Sequence, residues 1–149
     1  MQDILADLFE RDLRSFEENL SNVPERLLWF APEGVTNSAG VLTQHITGNL
    51  MFYVGAVLGG VEYQRDRNRE FSNTGASADE LLHGIRRASQ TIPGVIRGLT
   101  NDQLTSPYPT KISFPYSTQQ FLIHLYGHLS YHLGQLNYLR RIAGKVNKF

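Results

Sequence analysis

The stretch 121-FLIHLYGHLSYHLGQLNYLRR-141 carries three of the chain's five histidines, His124, His128 and His132, each four residues after the last. A four-residue step is slightly more than one helical turn, so on a helix the three imidazoles share one side. Phe121, Leu125, His128, His132, Gln135, Leu139 and Ile142 follow alternating spacings of four and three. That alternation is the seam of a helix packed against neighbours. At about 100° per residue, His128 and His132 fall within roughly 20° of the direction set by Phe121 and Leu139, and His124 about 60° off it. His128 and His132 are expected to point inward with Gln135 just below them. His124 is expected on the shoulder of the stripe.

The same anomaly occurs on an earlier segment. Leu42, His45, Asn49, Phe52 and Ala56 also read as a seam, with polar residues at two positions. Buried polar groups are costly unless satisfied, so polar residues converging from two helices require an explanation. Histidines at i and i+4 present two nitrogens to one ion, and a third from a facing helix completes the set. His124 and His132 lie about 12 Å apart along the helix axis, too far to share an ion. His45, His128 and His132 are therefore the candidate metal ligands. Gly48, Gly127 and Gly134 flank them; mid-helix glycine is unfavourable, and the expected return is close helix approach or room beside the ion. Asn49 and Gln135 are candidates to fix a ring tautomer. His83 has no evident partner and reads as surface.

Four helical patterns span roughly residues 2–20, 38–58, 78–99 and 117–144, and no strand is convincing. Asn37 or Ser38 caps the second, Gly59-Gly60 stops it, and Ser77 with Glu80 fits a capping box opening the third. PERLL, between Pro24 and Pro32, allows one helical turn. These patterns predict a single all-α domain over residues 1–149, a four-helix bundle. Two connections are long. Residues 60–76 are charged and polar, a solvated loop or a rim over a site; residues 100–116 hold Pro107, Pro109 and Pro115 and cannot form one helix.

The 149 residues are 41 % apolar and 19 % charged, with zero formal net charge and no cysteine. Zero net charge does not recommend a nucleic-acid partner. The missing cysteine removes disulfides, thiolate ligands and a cysteine nucleophile. No segment reads as a signal peptide or membrane span, so a cytoplasmic protein without a membrane partner is expected. His128 and His132 are separated by Leu-Ser-Tyr, without the Glu of a zinc peptidase, and the last helical segment has no Glu near its histidines to build the Glu-x-x-His pairs of a carboxylate-bridged di-iron bundle.

The H-x-x-x-H-x-G-Q ending from His128 to Gln135, followed by Tyr138-Leu139-Arg140-Arg141, resembles the DinB/YfiT-like superfamily. So do Trp29, Pro32, a helix opening Asn37-Ser38-Ala39-Gly40, the lone His45, and Asn49 four residues on. The resemblance spans about residues 5 to 144. It implies a four-helix bundle, one divalent ion on His45, His128 and His132, and often a homodimer. It also implies, for some relatives, metal-dependent transfer or hydrolysis with a low-molecular-weight thiol.

Three protein ligands leave a position open, as in catalytic zinc sites. The expected function is a metal-dependent transferase or hydrolase acting on a small molecule, with zinc as the first choice of cofactor and nickel also suited to imidazole. His124 is the candidate catalytic proton-transfer group at the rim. The alternative is a non-catalytic module, dimeric and stabilised by its ion. The mouth of the site is expected between residues 29–37 and 107–116, lined by at least two of Trp29, Phe30, Tyr108, Phe114 and Tyr116. Proton competition for the ligands is expected near the ordinary imidazole pKa of about 6.5.

Overall fold

The structure, a computed structural model, describes residues 1–146. Four long helical segments form the bundle, as the apolar periodicities predict. Helix α1 (Gln2–Ser21) buries Leu5, Phe9, Leu13, Phe16 and Leu20 on one stripe. A 3-10 turn at Glu25–Leu27 occupies the PERLL segment. Helix α2 (Ala39–Leu50) starts at Ser38, whose hydroxyl accepts from the Val41 amide at 3.3 Å. The Trp29 ring lies over Gly40, where a Cβ would come within 2.5–2.7 Å of it.

The second helix does not stay α-helical. It passes into a π-helical segment, Met51–Ala56, before a last short helix α3 (Val57–Gly59). Gly60 then adopts φ +64°, the left-handed conformation that ends helices on glycine. The wider π turn changes which side chains face inward. Met51 and Val54 are fully buried, while Phe52 and Ala56, expected in the seam, are only half-buried.

Helix α5 (Ala78–Arg97) opens with the expected capping box between Ser77 and Glu80. Helix α7 (Thr118–Val146) closes the bundle. The long connections hold two helices that periodicity misses because they are too short to show it. Helix α4 (Arg67–Ser72) is capped by Asp66, whose carboxylate accepts from the Arg69 amide. Helix α6 (Asn101–Thr105) has its own capping box, Thr100 with Gln103. The described residues contain no strand, only an isolated bridge between Pro107 and Ser117. No described helix is long and apolar enough to cross a membrane.

Helix α7 is wedged between two partners, and this sets where the histidines face. Toward α1 it presents Tyr126, which packs edge-on against Phe9, Ser130, which donates to the buried Asp12, and Asn137, which donates to Asn19. Toward α2 it presents His128 and His132. The buried line of α7 includes Leu122, Leu125, Leu129, Leu136, Leu139 and Ala143, and it takes in His132 where it meets the α2 side. His128 and Gln135 therefore lie beside the core line, half-buried, rather than on it. A helix with two neighbours has a wider apolar arc than a single seam describes.

Candidate metal centre

His45 comes from the middle of α2, and His128 and His132 from successive turns of α7. Their reactive nitrogens converge. His128 Nε2 lies 3.2 Å from His45 Nε2 and 2.9 Å from His132 Nε2, and one nitrogen from each ring fits within a 4.8 Å cluster. Two imidazoles on one tetrahedral zinc, with bonds near 2.05 Å, would hold their nitrogens about 3.3 Å apart. The observed spacings are close to that. His45 and His132 are each 8 % exposed, and His128 is half-buried.

The opposite edges of two rings decide the protonation of the facing nitrogens. His45 Nδ1 lies 3.1 Å from Glu70 Oε1, and His132 Nδ1 lies 2.6 Å from Gln135 Oε1. A carboxylate and an amide oxygen only accept, so each Nδ1 carries the hydrogen and donates it. In the neutral rings the lone pairs then sit on Nε2, both aimed at His128. Converging unprotonated nitrogens in a mostly buried setting fit a divalent ion. The three histidines are placed to bind a metal.

Glu70 comes from α4, in the charged 60–76 connection, and is a site residue that the sequence reading does not assign. Arg65 Nε and Nη2 donate to its two oxygens at 2.8 and 2.9 Å. Burial by itself would raise the pKa of Glu70. The hydrogen bonds from Arg65 and His45 outweigh burial and hold the carboxyl below its ordinary value. Glu70 therefore remains an ionised acceptor. Gln44 fixes the helix that carries it, donating to the Glu70 and Asn73 carbonyls at 3.0 and 2.9 Å and accepting from Asn73. Gly48 gives the carboxylate its room, because a Cβ there would overlap Glu70 Oε2. Glu70 thus fills the space that mid-helix Gly48 leaves. Gly127 and Gly134 differ: nothing lies within 4 Å of a Cβ at either, so neither serves close helix approach.

A cavity of about 250 Å³ opens beside the cluster, lined by His45, Asn49 and Tyr53 on one side and His124 and His128 on another. Arg65, Arg67 and the loop residues 112–114 complete it, so the charged 60–76 segment does reach the rim. Only Phe114 of the five aromatics expected at the mouth lines this cavity. Trp29 covers Gly40, and Tyr108 is buried, donating its hydroxyl to the Tyr53 carbonyl at 2.6 Å within the π segment. Tyr53 and Phe121 supply the aromatic walls instead. Residues 34–37 border a separate groove of about 780 Å³ on the other side of His132, with Gln135, Tyr131 and Tyr138.

The comparisons with known proteins agree with this architecture. Residues 3–148 match the family described as "Protein of unknown function (DUF1572)". The chain belongs to this family. No curated protein matches it. Among solved structures it is similar to the DinB-like protein YjoA of Bacillus subtilis, at 16 % identity and TM-score 0.71 over 94 % of this chain and 92 % of that one. A DinB-like protein of Bacillus cereus gives 21 % identity and TM-score 0.69 over 89 % and 86 % of the two chains. A Streptococcus pneumoniae protein gives 15 % identity and TM-score 0.69 over 97 % and 90 %. The fold is DinB-like, as the motifs on α2 and α7 imply.

Burial, then the neighbouring imidazoles and the Arg65 charge, pushes His128 down to about 4. Burial also lowers His132, opposed by its hydrogen bond to Gln135. Protonation of these two histidines therefore falls below the ordinary value of about 6.5. A folded pKa below the unfolded one means that protons favour unfolding. The stabilising difference is complete above about 6.5 and is lost as pH falls toward 4. Metal-free protein should melt at a constant temperature above roughly pH 7 and lower between about 6.5 and 5, above the carboxylate range. His128→Gln should flatten that decline. A wild-type melting temperature unchanged from pH 7.5 to 5 would contradict the assignment.

Proposed function

We propose that the protein is a metal-dependent enzyme, a transferase or hydrolase for a small molecule with a low-molecular-weight thiol or water as nucleophile. Zinc is the preferred ion and nickel the second. A divalent ion on the three histidines would lower the pKa of a thiol or water at its open position and so supply the nucleophile. The observation that carries the reading is the cavity: His45 and His128 face it directly, so the site is reachable from outside. A purely structural ion would be sealed.

The chain's own residues divide the remaining work. Glu70 and Gln135 hold two rings in the tautomer that presents Nε2. Phe121 stacks on His124 with ring centroids 5.8 Å apart, which keeps that exposed imidazole at the cavity wall. There it serves as the proton-transfer group. Tyr53, Phe114 and Phe121 give apolar walls around the polar floor, the usual character of a small-molecule pocket.

The test is elemental analysis of purified protein, then a turnover screen pairing electrophiles and esters with low-molecular-weight thiols. One ion per chain and thiol-dependent turnover are expected. His124→Gln should lower kcat by about a hundredfold, the scale of a lost general acid or base, with metal content unchanged. A metal-loaded protein inert across the screen would favour a non-catalytic, metal-stabilised module.

A further inference from the structure

The cavity beside the histidines has a charge pattern of its own. Two arginines line it, and no aspartate or glutamate does. Arg65 is already paired, its Nε and Nη2 donating to Glu70, whose carboxylate balances its charge. Arg67 is exposed, lies 5.2 Å over the Phe71 ring, and has no carboxylate partner among the described residues. One uncompensated guanidinium therefore stands at the mouth, held by its contact with Phe71. A single guanidinium carries one positive charge on a planar fork, and one carboxylate matches it in charge and in bidentate geometry.

A second, independent observation lies deeper in the same cavity. Asn49 also lines it and is 7 % exposed, and its Oδ1 is buried with no hydrogen-bond partner among the described residues. A buried acceptor left unpaired costs stability, and such a group in a cavity is a place where a ligand hydrogen restores what folding removed. Asn49 stands one turn beyond His45 on α2.

We propose that this cavity binds a small organic carboxylate bearing a hydroxyl, thiol or amino hydrogen. Arg67 holds the carboxylate at the mouth, and Asn49 Oδ1 accepts the ligand's hydrogen inside. This names the substrate class of the enzyme reading above and rests on it for the position of the reacting end. No covalent step is involved.

Lactate, propionate and lactamide separate the two contacts, because propionate lacks only the hydroxyl and lactamide only the charge. Each is titrated into zinc-loaded and metal-free protein and followed by NMR. Lactate should bind about tenfold more tightly than lactamide and about fivefold more tightly than propionate, as charged and neutral hydrogen bonds respectively predict. Arg67→Gln should erase the first preference and Arg67→Lys retain part of it; Asn49→Leu should erase only the second. Metal content is measured in every variant. Arg67→Gln with full metal content and undiminished preference for lactate over lactamide overturns the inference and leaves the metal centre standing. Wild-type protein that takes up no metal, yet binds lactate in an Arg67-dependent way, sinks the metal reading and leaves the subsite.

Discussion

His128→Ala abolishes stoichiometric metal binding, and His124→Ala leaves one ion per chain: that is the expected result of dialysing each variant against zinc and measuring bound metal. The two residues are one helical turn apart on α7, so the contrast isolates geometry from composition. His128 Nε2 stands between the other two ring nitrogens at 3.2 and 2.9 Å, whereas His124 lies outside the cluster. Four-ligand zinc sites are worth about 10–16 kcal/mol, so each ligand accounts for roughly 3 kcal/mol, more than a hundredfold in affinity. His45→Ala and His132→Ala should behave like His128→Ala, and His83→Ala, at an exposed position of α5, like His124→Ala. Metal loss in His124→Ala with retention in His132→Ala would show that the wrong pair had been chosen.

The three-histidine cluster is legible in the sequence because helical periodicity is local. A four-residue step fixes the angle between His128 and His132 whatever surrounds them, and the polar interruption at His45 marks the facing helix. The bundle is legible for the same reason, as are Ser77 and Glu80, whose capping geometry needs only four residues. Glu70 is not legible. It reaches His45 across 25 positions from a segment with no periodicity, and nothing in GVEYQRDRNREFSNTGA separates it from Glu62. The one local signal lies on the other helix. Gly48, three residues after His45, leaves a gap that some side chain must fill. The π-helical segment is hidden too, since its residues read as ordinary helix, and it moves Phe52 and Ala56 out of the seam.

The gap at Gly48 gives the last prediction its sign. Glycine to alanine within a helix ordinarily stabilises by about 1 kcal/mol. Here the added Cβ would overlap Glu70 Oε2 and displace the carboxylate from both His45 and Arg65. Arg65, its side chain only 11 % exposed, would lose its counter-charge. Breaking such a buried pair costs about 3–5 kcal/mol, which exceeds the helix-propensity gain. His45 would lose the acceptor that fixes its tautomer, at about 10- to 100-fold in metal affinity. Gly48→Ala is therefore expected to lower the melting temperature and weaken zinc binding together, as Glu70→Ala should. The carboxylate's share of stability has its own pH signature. Because Glu70 titrates below its ordinary value, that share is present above about pH 4.3 and is lost as pH falls through the folded value. Glu70→Ala should thus lie below wild type at pH 7 and approach it in acid. A Gly48→Ala protein that melts higher than wild type and binds zinc as tightly would show that the carboxylate does not hold His45.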